Sequence, residues 1–272
     1  MERTTVSIPL EVDRDPEDPR QALPYLTVSV DGRPHRALLD SGAARTAFAA
    51  PPGTVTRPAA GAGRGVFGAS SERRRWHATI ALGGTSLGSF EVADQRDPDG
   101  FLLGQDVLSR FRCHYRLADG ELVLDGPEPD HAGPIHAEPV YLDPGRHVYL
   151  AARWPSGATA DVVLDTGASL TVLDAGFAAR HPELVEARGT EAGTDTTGET
   201  REAALVELAG PAILGHEFAA SPAVVVDLSG ANATLPRPMD AILGWPLLSQ
   251  VDWVVDHPRG RAAVVPREGR DA

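Results

Sequence analysis

Residues Val162–Ser169 have the sequence Val-Val-Leu-Asp-Thr-Gly-Ala-Ser, and the rest of this 272-residue chain is interpreted from them. A short apolar run that is bounded by turn residues is typical of a strand. The run ends at Asp165, and Gly167 follows after one hydroxyl residue, as in a tight turn. Ala37–Ala44 has the same order, Ala-Leu-Leu-Asp-Ser-Gly-Ala-Ala. The repeat predicts two carboxylates, Asp40 and Asp165, that leave strand ends in the same way and meet.

The repeat continues upstream of each aspartate. In both halves the pattern predicts an early strand and then a hairpin whose second strand ends at the aspartate. The first half has an alternating strand at Thr5–Val12, a polar loop at Asp13–Pro24, and strands Tyr25–Val30 and Pro34–Leu39 joined by a turn at Asp31-Gly32. The second half has strands at Pro139–Leu142, His147–Arg153 and Ala158–Leu164, with turns at Asp143–Gly145 and Pro155–Gly157.

A second pair of matching segments follows the aspartates. Gly100–Leu108 and Ala241–Leu248 each contain an apolar run that meets a glycine, Gly104 or Gly244, where a residue without a side chain lets backbones approach closely. Each half then ends in a predicted hairpin, Phe111–Tyr115 with Glu121–Leu124 and Val251–Val255 with Arg261–Val265. Short helices are predicted at Val107–Phe111 and Ala175–Arg180.

The linker between the two halves is predicted at Gly126–Pro134. This segment is rich in proline and glycine and has no hydrophobic periodicity, which is typical of a linker. We therefore expect two domains, residues 1–130 and residues 131–272.

Composition restricts the class of protein. A formal charge of −13 argues against nucleic acid and acidic membranes as partners, and no apolar run approaches the ~20 residues of a membrane helix. The first residues, Met1–Ser7, lack the apolar core of a secretory signal, and Cys113 is the only cysteine. We therefore expect a cytoplasmic location. Every basic residue is arginine and none is lysine, which we interpret as the codon bias of a GC-rich bacterium.

Both aspartate loops resemble the active-site loops of aspartic peptidases, and the alanine after each glycine is most similar to the retropepsin-like branch. The resemblance covers nearly the whole chain. It implies an all-β fold of two pseudo-symmetric β-barrel lobes with a cleft between them. Viral retropepsins dimerise to bring two copies of one loop together, whereas here one polypeptide carries both, so a monomer is expected to suffice.

The resemblance also implies an activity and a set of site residues. Asp40 and Asp165 would share one proton and activate a water molecule that attacks a peptide bond of a peptide or protein substrate. Neither a metal ion nor another cofactor is required. The supporting loop residues would be Ser41, Gly42 and Ala43 in the first half and Thr166, Gly167 and Ala168 in the second. Ser41 and Thr166 would place their hydroxyl groups on the opposing loop, and the two glycines would offer amides to the carboxylates.

A flap that covers the substrate is the other part that this chemistry needs. Gly61–Gly68 resembles the glycine-rich flap tip of retropepsins and supplies Gly65, Val66, Phe67 and Gly68 as candidates. The corresponding segment of the second half contains Thr196 and Thr197. The sequence leaves open whether one flap or two operate. The spacing Gly63-x-Gly65-x-x-Gly68 also fits a dinucleotide-binding fingerprint, but no strand precedes it and no apolar helix follows it.

Two further expectations concern activity. Ala43 and Ala168 stand where pepsin-type enzymes usually have a serine or threonine whose hydroxyl supports the ionised carboxylate, so the optimum is expected in the weakly acidic to near-neutral range. The absence of a recognisable prosegment favours narrow specificity. The competing hypothesis is a peptide- or protein-binding module that keeps the lobes but has lost turnover.

Overall fold

The computed structural model describes residues 5–58, 74–125, 137–194 and 200–267, most of which lie in strands. The first half contains β1 (Val6–Pro9), β2 (Glu11–Arg14), β3 (Ala22–Val30), β4 (Arg33–Leu39), β5 (Ala47–Phe48), β6 (Arg75–Leu82), β7 (Thr85–Asp94), β8 (Leu102–Leu103), helix α1 (Gln105–Leu108), β9 (Arg112–Arg116) and β10 (Glu121–Leu124).

The second half follows a similar order and contains more elements. It contains β11 (Glu138–Pro139), β12 (Tyr141–Leu142), β13 (Val148–Arg153), β14 (Thr159–Leu164), β15 (Thr171–Asp174), α2 (Ala175–Arg180), β16 (Val185–Thr194), β17 (Thr200–Leu208), β18 (Ala212–Ile213), β19 (His216–Glu217), β20 (Ser221–Val226), α3 (Ser229–Asn232), β21 (Ala241–Leu243), α4 (Trp245–Leu248), β22 (Asp252–Asp256) and β23 (Arg261–Val265).

Each half builds its own sheet around one aspartate loop. In the first half seven strands follow the order β2-β3-β4-β8-β5-β7-β6, and an additional β3–β6 pairing closes the sheet on itself. In the second half the order is β16-β17-β20-β15-β21-β14-β13-β18-β19, and β12 pairs with β13. The β3–β4 turn at Asp31-Gly32 has positive φ at both residues, 49° and 80°, as a two-residue hairpin turn requires. The expected all-β fold of two lobes is confirmed.

A third sheet joins the two halves. Its order is β1-β10-β9-β22-β23-β11, so the final hairpins of both halves lie side by side, with β9 antiparallel to β22. The sequence predicted the two hairpins separately and gave no indication that they pair with each other. Because this sheet is built from both halves, it holds the lobes in a defined relation.

Several boundaries predicted from the sequence are wrong. The strand predicted at Pro139–Leu142 is two strands, because β11 pairs with β23 while β12 pairs with β13. The strand predicted at Thr5–Val12 is two strands, because β1 pairs with β10 while β2 pairs with β3. The break follows Pro9, which has no N–H to continue a ladder, and the Leu10 amide donates to the Gly120 carbonyl instead. The loop predicted at Asp13–Pro24 is shorter, because cross-strand pairing extends β2 and β3 into it. The helix predicted at Val107–Phe111 begins at Gln105, because the Leu108 amide already bonds back to Gly104.

The apolar core runs through both lobes and the joining sheet. It includes Leu39 and Leu164 beneath the two aspartates and Trp253 in the joining sheet, all at most 1% exposed. No helix among the described residues has the length and apolar character needed to cross a membrane. The predicted linker, and with it the boundary between 130 and 131, lies outside the described residues.

Candidate active site

Equivalent pairs of strands deliver the two aspartates. The Asp40 amide, just after β4, donates to the Leu103 carbonyl of β8 at 3.1 Å, and the Asp165 amide, just after β14, donates to the Leu243 carbonyl of β21 at 3.1 Å. Both strand pairs are parallel. Asp40 is 2% exposed, and Asp165 is partly buried. The repeated sequence therefore produces a repeated backbone frame.

Gly104 and Gly244 lie where the backbone segments of each frame approach each other closely. The residue after each glycine donates its amide to the active-site loop, Gln105 to the Ala43 carbonyl at 2.8 Å and Trp245 to the Ala168 carbonyl at 2.9 Å. A Cβ atom at Gly104 would lie 2.8 Å from the Ala43 carbonyl oxygen, and one at Gly244 would lie 2.8 Å from that of Ala168. Both positions therefore require glycine for steric reasons.

The two loops are interlocked by the hydroxyl groups of Ser41 and Thr166. Ser41 Oγ donates to the Leu164 carbonyl at 3.0 Å and accepts from the Thr166 amide at 2.9 Å. Thr166 Oγ1 donates to the Leu39 carbonyl at 2.6 Å and accepts from the Ser41 amide at 3.0 Å. Both side chains are at most 1% exposed. Four reciprocal hydrogen bonds thus hold loops that are 125 residues apart in sequence.

The loop glycines make room for the opposite carboxylate. The amides of Gly42 and Gly167 donate to Asp165 Oδ1 at 3.1 and 2.8 Å. A Cβ atom at Gly42 would overlap the Asp165 carboxylate, and one at Gly167 would lie 2.6 Å from Asp40 Cγ. The two carboxyl groups therefore face each other across a space that only glycines leave open.

The electrostatic surroundings of the two carboxyl groups differ. Burial and the negative charge of Asp165 raise the pKa of Asp40 well above its ordinary value. Burial also raises the pKa of Asp165, but the Gly167 and Gly42 amides, the charge of His147 and a hydrogen bond from Asp40 oppose this rise. The pair therefore shares one proton, and the two amides on Asp165 Oδ1 favour the form in which Asp40 carries it.

Two threonines and a glutamine complete the frame, and they were not among the residues predicted from the sequence. Thr46 Oγ1 accepts from the Gly104 amide at 3.0 Å, and Thr171 Oγ1 accepts from the Gly244 amide at 3.2 Å. Each threonine stands six residues after its aspartate, so the repeat itself contained the signal. Gln105 Nε2 donates to the Ser41 carbonyl at 2.8 Å, for which the second half has no equivalent and the sequence no signal.

The other candidates have mixed outcomes. Gly65, Val66, Phe67, Gly68, Thr196 and Thr197 lie outside the described residues. The segments that contain them start and end at antiparallel pairs, Arg57 with Arg75 and β16 with β17.

Cys113 is fully buried, and burial raises its thiol pKa to about 12, which removes it as a nucleophile. Within the described ranges, no group of three or more His, Cys, Asp or Glu side chains could hold a metal ion.

Comparisons with known proteins agree with this geometry. Residues 152–247 match the sequence pattern of a family described as aspartyl protease, and this stretch contains the Asp165 loop and Gly244. The fold is similar to the crystal structure of aspartic proteinase from Irpex lacteus, with a TM-score of 0.61 and 14% sequence identity over 97% of this chain and 98% of that one. No curated protein sequence matches the chain.

Proposed function

We propose that this chain, which belongs to the retropepsin- and pepsin-like aspartic peptidases, is an endopeptidase that cleaves peptide bonds with a water molecule activated between Asp40 and Asp165. The observation that carries the proposal is the asymmetric carboxyl pair inside the interlocked loops. Burial and the charge of Asp165 favour the protonated form of Asp40, and two amides favour the ionised form of Asp165. General acid–base hydrolysis needs one group of each kind.

In the proposed reaction the Asp165 carboxylate takes a proton from the bound water, whose oxygen attacks the peptide carbonyl carbon. The protonated Asp40 carboxyl donates a hydrogen bond, and then its proton, to the carbonyl oxygen. Asp165 then gives the proton it took to the amide nitrogen, and Asp40 takes a proton back from a hydroxyl group of the tetrahedral intermediate. The C–N bond breaks, which yields a carboxylic acid and an amine and returns the pair to its starting protonation. The fixed amides hold the Asp165 carboxyl group in position throughout, so little reorganisation is needed.

Both carboxyl groups come from one chain, and the joining sheet connects the lobes that carry them. The proposed enzyme therefore works as a monomer. Activity per molecule should not fall on dilution to nanomolar concentration, since no subunit dissociation can separate the loops. A specific activity that collapses on dilution, together with a dimeric mass, would contradict a monomeric site.

The decisive test is a digest of a peptide library with wild-type protein, Asp40→Asn, Asp165→Asn and the double variant. Each single variant should lose nearly all cleavage, and the double variant should be hardly worse, because the two carboxyl groups act as one unit. Asp227→Asn is the control, because Asp227 is an exposed carboxylate on the second lobe, where it accepts from the Ser229 amide. Cleavage that survives in Asp165→Asn would refute the assignment, and binding without cleavage by wild type would favour the binding-module hypothesis.

A further inference from the structure

A second ionisable pair lies beside the active-site loops and has no role in the reaction proposed above. Asp143 and His147 belong to the turn between β12 and β13. His147 Nδ1 lies 2.8 Å from Asp143 Oδ2, and the His147 backbone amide donates to Asp143 Oδ1 at 2.9 Å. The His147 side chain is 18% exposed, and the Asp143 side chain is 3% exposed. Because an ionised carboxylate only accepts hydrogen bonds, Nδ1 carries the proton.

The turn brings this pair against the loop of the opposite lobe. At Gly145 a Cβ atom would lie 2.7 Å from His147 Cε1 and 3.3 Å from the Ala44 methyl group. The imidazole and Ala44, the fourth residue after Asp40, are therefore neighbours across a glycine. His147 thus stands at the junction of the two lobes. The β13–β14 register, in which Tyr149 is opposite Val163, brings His147 opposite Asp165 when it is continued by two residues.

Burying an ion pair costs desolvation energy, so a pair next to a reactive group calls for a reason other than stability. Burial acts to raise the pKa of Asp143, but the hydrogen bond from His147 and its charge hold that pKa below its ordinary value. The charge of His147 likewise lowers the pKa of Asp165 against the effect of burial.

The other charged or titratable side chains around the turn either bond to groups other than His147 or have a pKa far from neutral. Arg146 donates to the His257 carbonyl at 3.4 Å. The Tyr149 hydroxyl donates to the Arg237 carbonyl at 2.9 Å, and burial and the charge of Asp143 raise its pKa to about 12. Asp143 and Asp165 are therefore the ionised groups that His147 faces near neutral pH.

The first lobe has no such group at the matching place. The Asp143 amide donates to the His147 carbonyl at 3.3 Å, and in the first lobe the Asp15 amide donates to the Gln21 carbonyl at 3.0 Å. His147 and Gln21 each stand immediately before a strand, β13 and β3. Gln21 is uncharged and His147 is ionisable, so the two lobes differ in charge at this place.

We propose that His147, oriented by Asp143, is a positioning residue that keeps Asp165 ionised as the pH falls and thereby sets the acid limit of activity. A cation beside a carboxylate favours the ionised form of that carboxylate, so the charge of His147 opposes protonation of the base. The proposal rests on the proposed function for its consequence in turnover, but its electrostatic part does not depend on turnover.

The first test is the pH profile of kcat/KM for His147→Gln and His147→Arg. Removing the cation should move the acid limb to higher pH by about half a pH unit to one pH unit. Arginine keeps a cation at this place, so it should preserve the acid limb. His181→Gln is the matched control, since His181 lies 3.4 Å from Glu183 in an exposed pair. An acid limb that His147→Gln leaves in place, or a loss equal at every pH, would overturn the proposal.

The second test does not need turnover. Protein labelled with ¹³C at the aspartate carboxyl groups is titrated by NMR, and the Asp165 signal is identified by its absence in Asp165→Asn. His147→Gln should raise the titration midpoint of Asp165, and His147→Arg should not raise it. If this shift is seen in a protein that cleaves nothing, the proposal stands and the proposed function fails. If cleavage is seen without the shift in either variant, the reverse holds.

Discussion

The Asp40 loop and the Asp165 loop share a backbone frame but differ in the side chains that support it. In both loops the aspartate amide bonds to the neighbouring parallel strand, a threonine six residues later accepts from a glycine amide, and a hydroxyl group reaches the opposite loop. These shared contacts place the carboxyl groups face to face. One backbone feature is not shared, because the Gly42 and Gly167 amides both donate to Asp165 Oδ1.

The side chains that support the two loops also differ. Behind the first loop stand Gln105, which bonds to the Ser41 carbonyl, and Asp106, whose Oδ1 accepts from the Thr46 amide and hydroxyl at 2.9 and 2.6 Å. Their counterparts behind the second loop are Trp245 and Pro246, both buried and neither able to offer a carboxylate. Backbone repetition therefore sets where the carboxyl groups lie, whereas the two amides on Asp165 Oδ1 and the charge of His147 make their electrostatic surroundings unequal.

The largest effect on activity is expected when a methyl group fills the space that each glycine leaves for the opposite carboxylate. Gly42→Ala should displace Asp165, and Gly167→Ala should displace Asp40. Each change should reduce kcat/KM by about 100-fold or more, because small displacements of a reacting group are that costly. Gly230→Ala is the control, because a Cβ atom there meets nothing within 4 Å. Full activity in either site variant would show that the loops are not held as closely as described.

Removing either interlocking hydroxyl group should lower the free energy of unfolding by a similar amount. Ser41→Ala and Thr166→Val each remove two buried cross-loop hydrogen bonds, so each should lower the free energy of unfolding by roughly 1 to 3 kcal/mol. Urea denaturation measures this, and Thr190→Val is the control, because the Thr190 hydroxyl bonds only at the surface to Glu202. Losses below about 0.5 kcal/mol, or a loss from one side only, would contradict a reciprocal interlock.

The unequal pKa values predict unequal effects on stability. An aspartate whose pKa is higher in the folded state is neutral in both states at low pH, and its burial destabilises the fold as the pH rises through the folded-state value. At pH 8 Asp40→Asn should therefore stabilise the protein by on the order of 1 kcal/mol. Asp165→Asn should stabilise less, because two amides already offset the burial of its charge. Thermal unfolding at pH 8 and pH 4 checks this, and a gain for Asp40→Asn that persists at pH 4 would contradict it.

The smallest expected effect concerns the alanine after each glycine. Ala168→Ser would add a hydroxyl that can donate to an active-site carboxylate and favour its ionised form. The kcat/KM profile should then move toward acid by a fraction of a pH unit to about one unit, from a wild-type optimum in the weakly acidic to near-neutral range. A wild-type optimum below about pH 4, the range in which the lower pKa of the pepsin pair lies, would contradict the prediction.

The sequence by itself determined the parts of this protein that depend on neighbouring residues. Apolar runs ending in Asp-Ser-Gly and Asp-Thr-Gly specified two strands and two turns, and the glycines at Gly104 and Gly244 marked close approaches of backbone. Local periodicity suffices here, because hairpin partners stand next to each other in the chain. The two-lobed class followed from the repeat of these local signals.

Only the tertiary structure decided what depends on contacts between distant segments. The joining sheet pairs β9 with β22, and the interlock joins residues about 125 positions apart. His147 lies beside the Asp40 loop only because the turn before β13 folds against the opposite lobe. The pKa values of Asp40 and Asp165 differ because burial and charge depend on everything packed around them, which no local pattern records. Two nearly identical loop sequences thus acquire different chemistry from unlike surroundings.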